Sequence, residues 1–423
     1  MGKFLITEWK ECILTAFYDG ARILSLDLSL PDRRQLLGNI YVARVERVVK
    51  NLNAAFLRYG EQERAYCALD RPVTPIFQNR SVDFSGEGAR LREGDIVLAQ
   101  ISQEAIKTKE PCARTDLSLA GRYVVLEMNA PKFLNFSKKI RDRKFRAEWE
   151  ELLAPEAEGQ ETLREKFSGD LPPFGFILRT NALSASREDI LNEINHLTAV
   201  FRELAGAGKY RSLYSLVYQE QPGYLREVRD AGRQEVDEVV TDVPSLCGQM
   251  QEAFAIYPDL AGKLRLYRDS LLPLSKLYPV EKTVREALGK KVWLKSGGYL
   301  MIEQTEACAV IDVNTGKFDA KKEKEATFLK INLEAADEIA LQLRLRNLSG
   351  MILVDFINMR DPENDELLMQ RLRSAVAKDK VPVTVVDMTK LKLVELTRKK
   401  EKKPFSQQYS ELTAKEISSQ EFI

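Results

Sequence analysis

Two stretches decide how this chain is read: "CAVIDVNTGKF" (308–318) and "GMILVDFINM" (350–359). In the first, the apolar run Ala309-Val310-Ile311 stops at Asp312, and Asn314, Thr315 and Gly316 follow, residues that favour turns. In the second, the run Met351 to Val354 stops at Asp355. Short apolar runs bounded by turn formers read as buried strands. Between them, "EKEATFLKINLEAADEIALQLRLRNLSG" (323–350) sets Leu329, Leu333, Ala336, Ile339, Ala340 and Leu343 at helical spacing, which predicts a helix with one buried face. Strand, helix and strand in this order fit a right-handed crossover with the two strands parallel and side by side. "GGYLMIEQ" is expected to pair antiparallel with "ACAVIDVN"; "DELLMQRLRSAVAKD" reads as a helix and "VPVTVVDM" as a strand.

On that reading both carboxylates emerge at one edge of a sheet, where open α/β sheets bind ligands. Carboxylates so close repel unless a cation lies between them. Magnesium suits such a place: it takes oxygen ligands, keeps several waters and often uses one or two carboxylates. It can activate water and stabilise charge on a phosphate oxygen. Asn314, two residues past Asp312, is placed to bond a phosphate or a water on the metal. The competing reading is that each aspartate merely forms a turn or caps a helix. Spacing alone leaves both open.

Upstream, residues 4–28 read as two or three strands, and 38–119 as a small all-β barrel of about five strands. The barrel carries Tyr41, Phe56 and Tyr66 with Arg44, Arg58 and Lys109. Outward aromatics ringed by cations stack unpaired bases and neutralise a backbone; inward ones would be core. Residues 122–215 read as α+β, with "FILRTNA" ending a strand on Arg179-Thr180, a guanidinium fork beside a hydroxyl that suits a terminal phosphate. Two locally basic stretches, 132–146 and 390–403, could follow phosphates or be solvated faces. The residues after 403 read as a polar, frayed tail.

The 423 residues allow several cores, and 44% hydrophobic with 30% charged residues describes a globular chain. Net charge is +1, so any nucleic-acid binding rests on local patches. No apolar run approaches the roughly 20 residues of a membrane helix, and the N-terminus reads as mature protein rather than a signal peptide. Five scattered cysteines without a CxxC pair point to neither a zinc site nor a disulfide framework, and a reducing cytoplasm is expected. The single histidine, His196, excludes a three-histidine metal site and reads as a surface or structural residue of a helix.

Several stretches together resemble the ribonuclease E/G family: "GNIYVARVERVVKNLNAAFLRYG", "LSLAGRYVVL", "ILRTNA", "SGGYLMIEQTEACAVIDVNTGKF", "NLEAADEIALQLRLRNLSGMILVDFINM" and "LKLVELTRKK", in the family's order from about residue 38 to 400. The resemblance implies a magnesium-dependent endoribonuclease that cleaves single-stranded RNA in processing and decay and favours 5′-monophosphorylated substrates. It implies that Asp312 and Asp355 hold the metal and that Asn314 assists. It implies RNA contacts at Phe56, Tyr66 (where the family usually has phenylalanine) and Lys109, and a 5′-phosphate site at Arg179 and Thr180. The implied fold is multidomain α+β. An RNase H-like subdomain (1–37 and 216–284) is split by an S1 domain, an OB-fold, at 38–121 and a 5′ sensor at 122–215; a DNase I-like catalytic subdomain at 285–400 and a polar tail at 401–423 follow. The sequence departs from the family at "LTRKKEKKPFSQQYSELTAKEISSQEFI", which has no cysteine for the zinc-link, so a zinc-linked tetramer is not expected. The family's small C-terminal domain and scaffold tail are not expected either, while a homodimer through the catalytic subdomain stays open. The loop "NAPKFLNFSKKIRDR" lacks the family's glycines, which bears on 5′-end sensing. The other reading is a catalytically weak RNA-binding or ribosome-associated protein derived from the same fold.

Overall fold

Alternation of small apolar and polar residues in "IYVARVERVV" makes Ile40–Val49 (β1) a strand with one buried and one solvated side. In the computed structural model, which describes residues 2–30, 36–81, 89–105, 110–152, 171–232, 235–269, 271–305, 307–316 and 324–420, this strand is the hinge of a closed barrel. Ala54–Arg58 (β2), Arg64–Ala68 (β3), Ile96–Gln103 (β4) and Cys112–Arg114 (β5) complete it. The first half of β1 pairs with β4 and the second half with β2, across an irregularity between Val45 and Arg47, so the ring β1-β2-β3-β5-β4 closes on itself. Small side chains fill its interior: Ala43, Ala55, Ala65, Ala99 and Ala113 pack with Val45, Leu57, Val97 and Ile101. A five-stranded ring has no room for large residues on every inward position.

The barrel lies in a unit formed by Asp32–Glu235 and Met250–Gly262. That unit also holds a four-stranded sheet in the order Leu134–Phe136, Phe174–Leu178, Val124–Met128, Ser118–Ala120, and the long helix Arg187–Ala207. The helix starts at a capping box between Ser186 and Asp189. His196 is exposed on it. Arg122 is wholly buried and bonds Asp259 at 3.1 Å, while the Glu193 carboxylate accepts the backbone N–H groups of Arg122, Tyr123 and Val124 at 2.6, 2.7 and 2.7 Å. A Cβ at Gly121 would lie 2.4 Å from that carboxylate, which is why the "LAGRY" turn needs glycine.

The second unit comprises Met1–Pro31, Val236–Gln249 and Lys263–Ile423. Distant pieces of chain meet in a five-stranded sheet in the order Leu264–Leu266, Glu238–Thr241, Lys3–Trp9, Cys12–Tyr18, Ile23–Ser29, parallel through the first three and antiparallel after. A six-stranded sheet follows, built from Lys291–Trp293 (β6), Tyr299–Gln304 (β7), Cys308–Asn314 (β8), Gly350–Asp355 (β9), Val383–Met388 (β10) and Leu393–Arg398 (β11). Its order is β6-β7-β8-β9-β11-β10, with β8 and β9 parallel and the other pairs antiparallel. Helices Lys324–Leu345 (α1) and Pro362–Val376 (α2) contribute to the core on one face of it. Of the stripe expected on α1, Ala336, Ile339, Ala340 and Leu343 are buried, whereas Leu329 and Leu333 are only half-buried and Ile331 and Ala335 are buried in addition. Its C-terminal end, through Leu345, joins the core of the five-stranded sheet, so that end is buried nearly all round.

At the C-terminal end the fold adds a strand and corrects the expectation of a frayed tail. "LVELTR" is strand β11, inserted between β9 and β10 with Val394 and Leu396 buried. The polar tail holds helix Phe405–Gln420 (α3), and Phe405 is fully buried against the five-stranded sheet, with Tyr409 and Leu412 packed beside it. Phe405 is the fully buried anchor of this mostly polar segment, its burial worth roughly 1.5–3 kcal/mol.

Candidate active site

Parallel pairing of β8 with β9 sets Ile311 opposite Val354 and Asp312 opposite Asp355. Adjacent strands lie about 4.8 Å apart, so the two aspartates stand side by side. Ile311, Val313 and Val354 point into the core, so Asp312 and Asp355 occupy the opposite, solvent-facing side, and both are exposed. Asn314, the last residue of β8, donates from Nδ2 to Asp312 Oδ2 at 2.7 Å. The three residues called from the sequence are therefore brought together on one sheet face.

The backbone around them is fixed by close packing. Gly297 has φ +90° at the hairpin between β6 and β7, and Gly316 has φ +67° just past Asn314. A Cβ at Gly316 would lie 2.2 Å from the Gly297 carbonyl oxygen, and one at Gly298 would lie 2.8 Å from the Asn314 carbonyl oxygen. Only glycines allow this approach. Glu334 of α1 accepts the N–H groups of Lys295 and Ser296 at 2.6 and 3.1 Å, tying the same hairpin to the helix.

A residue missed from the sequence secures the other aspartate. Asn332 is fully buried in α1 and meets the chain two residues past Asp355 with both ends of its amide: Nδ2 donates to the Ile357 carbonyl at 2.8 Å, and Oδ1 accepts the Ile357 N–H at 3.1 Å. Its signal is an asparagine among apolar helix positions, which a reading of hydrophobic spacing passes over. Glu325, at the start of α1, accepts the N–H groups of Arg360 and Asp361 at 2.8 and 3.2 Å. Those bonds, that of Asp361 foremost, hold its carboxyl below the ordinary carboxylate range.

The donor set fits a hard divalent cation. Two carboxylates and an amide offer only oxygen ligands, they face solvent, and like charges directly opposite across strands are destabilising without a counter-ion. Among the described residues no cluster of three or more histidine, cysteine, aspartate or glutamate side chains forms an alternative centre.

In the barrel, Phe56 and Tyr66 are cross-strand partners on β2 and β3, with ring centroids 6.0 Å apart in an edge-on arrangement. Both are half-buried on the outer side, their neighbours Ala55, Leu57, Ala65 and Cys67 filling the interior. Arg47 of β1, exposed and opposite Phe56, adds a cation that the sequence reading did not single out. Tyr41 packs against Tyr59 and the barrel core, and Arg58 pairs with Glu46 at 2.7 Å. Lys109 lies outside the described residues.

Arg179 closes strand Phe174–Leu178, and Thr180 beside it is exposed at the start of a short 3-10 turn. The Arg179 Nη1 donates to the Gly121 carbonyl and, at 2.7 Å, to Asp230 Oδ1. Arg229 donates to the same Asp230 oxygen at 3.1 Å. Burial pulls the Asp230 carboxyl upward, but the Arg229 and Arg179 guanidiniums outweigh it and hold it below its ordinary value. In the basic stretch 390–403, five of the seven cations have acidic partners: Lys392, Arg398, Lys399, Lys402 and Lys403 pair with Asp365, Asp379, Glu401, Asp27 and Glu411. In 132–146, by contrast, Lys132, Lys138, Lys139, Arg141, Arg143 and Lys144 are exposed.

A closed OB-like barrel, three further sheets and their helices make this a multidomain α+β protein. The Ribonuclease E/G family model matches residues 118–401, and the chain belongs to that family. It is 32% identical to Ribonuclease E of Escherichia coli (strain K12) over 399 residues, 92% of this chain and 36% of that protein. It is 33% identical to Ribonuclease G of Haemophilus influenzae (strain ATCC 51907 / DSM 11121 / KW20 / Rd) over 374 residues, 87% of this chain and 73% of that one. Ribonuclease G of Escherichia coli (strain K12) is 30% identical over 391 residues, 91% of this chain and 77% of that protein. The chain thus spans little more than a third of the Ribonuclease E of Escherichia coli and about three quarters of the Ribonuclease G relatives. No helix among the described residues is long and apolar enough to cross a membrane.

Proposed function

We propose that the chain is a Mg²⁺-dependent endoribonuclease that cleaves single-stranded RNA in processing and decay. The observation that carries this is the registered pair Asp312 and Asp355 on an exposed sheet face, with Asn314 bonded to Asp312. Asp312 and Asp355 would hold the ion. A bound Mg²⁺ supplies charge stabilisation at the phosphate and a water of lowered pKa. Asn314 fixes the Asp312 carboxylate and orients the phosphate, and Phe56, Tyr66 and Lys109 hold the unpaired strand by stacking and charge. Holding the reacting phosphate in one orientation lowers the barrier. Family membership and the printed names of the relatives support this reading.

The finer architecture belongs to the same proposal. The joining of residues 3–29 with 238–266 in one sheet supports an RNase H-like subdomain interrupted by inserted sequence; the closed barrel supports an S1 domain, and the β6–β11 sheet a DNase I-like subdomain. Arg179 and Thr180 would take a 5′-monophosphate, with Asp230 orienting the guanidinium. The site is tested with Asp312→Asn in Mg²⁺ on a short AU-rich oligoribonucleotide. Cleavage falls by about a hundredfold or more, as for loss of a principal electrostatic group, and RNA binding is retained. A variant that cuts at the wild-type rate would overturn the assignment.

A further inference from the structure

The sheet face that carries the aspartates continues across its edge strands. The pairings align Lys291, Met301, Asp312 and Asp355 in one row and Trp293, Tyr299 and Asn314 in the next. Partners opposite each other in a sheet project to the same side, so Trp293 and Tyr299 share the solvent face of Asn314 and the two carboxylates. Trp293 is 65% exposed, large for an indole on an edge strand. Its ring lies 5.4 Å from that of Tyr299, edge-on, and the Lys291 ammonium sits 3.9 Å from the Trp293 ring centre and 3.7 Å from that of Tyr299. Lys295, also exposed, follows in the hairpin.

We propose that Trp293, Tyr299 and Lys291 form a base-stacking platform for the unpaired nucleotide that neighbours the phosphate at Asp312 and Asp355. The proposal rests on the nuclease reading for the location of that phosphate. Tyr299 is one strand and Trp293 two strands from Asn314, roughly 5 and 10 Å, and Tyr299 lies diagonally from Asp312 at roughly 7–8 Å, the reach of an adjoining nucleotide. A stacked base takes the place of the ammonium on the ring face, and the four-carbon stem of Lys291 lets the charge swing to a phosphate. Two rings with a cation between them, in line with the site, match a single nucleic-acid strand. A second copy of this chain would instead cover the apolar residues Val310 and Met351 on the same face.

Fluorescence tests this in the uncleaving Asp312→Asn chain. Of the three tryptophans, Trp149 is buried, Trp9 half-buried and Trp293 exposed, so Trp293 is the most accessible reporter. A short AU-rich oligoribonucleotide should quench the emission, and the quench should vanish in Trp293→Phe. With Asp312 restored, Trp293→Ala/Tyr299→Ala should raise KM about tenfold or more, the worth of one stacked base, with a smaller change in kcat, and Trp293→Phe should keep most of the wild-type KM. Unchanged KM in the double variant with no Trp293-dependent quench overturns the platform. So does emission that follows protein concentration rather than RNA, with self-association weakened by Trp293→Ala in sedimentation velocity; the face then joins copies of the chain. A wild-type chain that fails to cleave while the quench persists overturns the nuclease reading and leaves the platform standing.

Discussion

Asn332 places Asp355 without touching anything that reacts. Replacing it by alanine leaves the Ile357 N–H and carbonyl without their buried partner, which costs about 1–3 kcal/mol. Asn332→Ala should therefore lower the thermal midpoint, and cleavage should fall with it because the exit of β9 is no longer held. The aspartates themselves were readable in the sequence, since an apolar run that stops on a carboxylate is a local pattern. Asn332 was not, because its partner lies 25 positions away and only folding shows the contact. Cys67 makes a similar point in the barrel. Burial pushes its thiol up to about 12, so it should resist alkylation of the native protein near neutral pH, while the half-buried Cys112 and Cys308 react first. Mass spectrometry of partly labelled protein distinguishes them, and early labelling at Cys67 would contradict the closed barrel core.

Strands and helices with strong periodicity were readable, and those with masking charges were not. β8, β9, α1 and α2 follow from apolar spacing. β11 did not, because "KLKLVELTRKKEKK" is dominated by cations, and the one that matters for the core finds its partner 19 positions away: Arg398 is buried against Asp379 at 2.9 Å. The segment after it reads as polar, yet Phe405 anchors α3. Phe405→Ala should cost about 3–5 kcal/mol, measured by urea unfolding; a change under 1 kcal/mol would mean the helix does not dock. The Asp230 cluster gives a pH signature. Its folded-state pKa lies below the ordinary 3.8, so its stabilisation is complete above that value and is lost as pH falls through the lowered one, where the folded carboxylate also protonates. Asp230→Asn should thus be less stable than wild type at neutral pH, with the gap closing in strong acid.

On the scale of the whole chain, the sequence shows pieces and the fold shows which pieces join. Nothing local tells residues 3–29 that their sheet is completed by 238–241 and 264–266, more than 200 positions on. The joining is a parallel pairing of Lys3–Ile6 with Glu238–Thr241. The same scale governs end sensing. Arg179→Ala should abolish any preference for 5′-monophosphate over 5′-hydroxyl RNA while leaving the 5′-hydroxyl rate within about twofold, since that substrate offers no phosphate to a guanidinium. A preference that survives would remove Arg179 from the proposed sensor.

The carboxylate pair is tested most directly by the dependence of cleavage rate on Mg²⁺ concentration, in wild type and Asp355→Asn. If the two aspartates share one ion, the variant should need at least about tenfold more Mg²⁺ for half its maximal rate, and that maximum should itself be far lower. Superimposable curves would contradict the account.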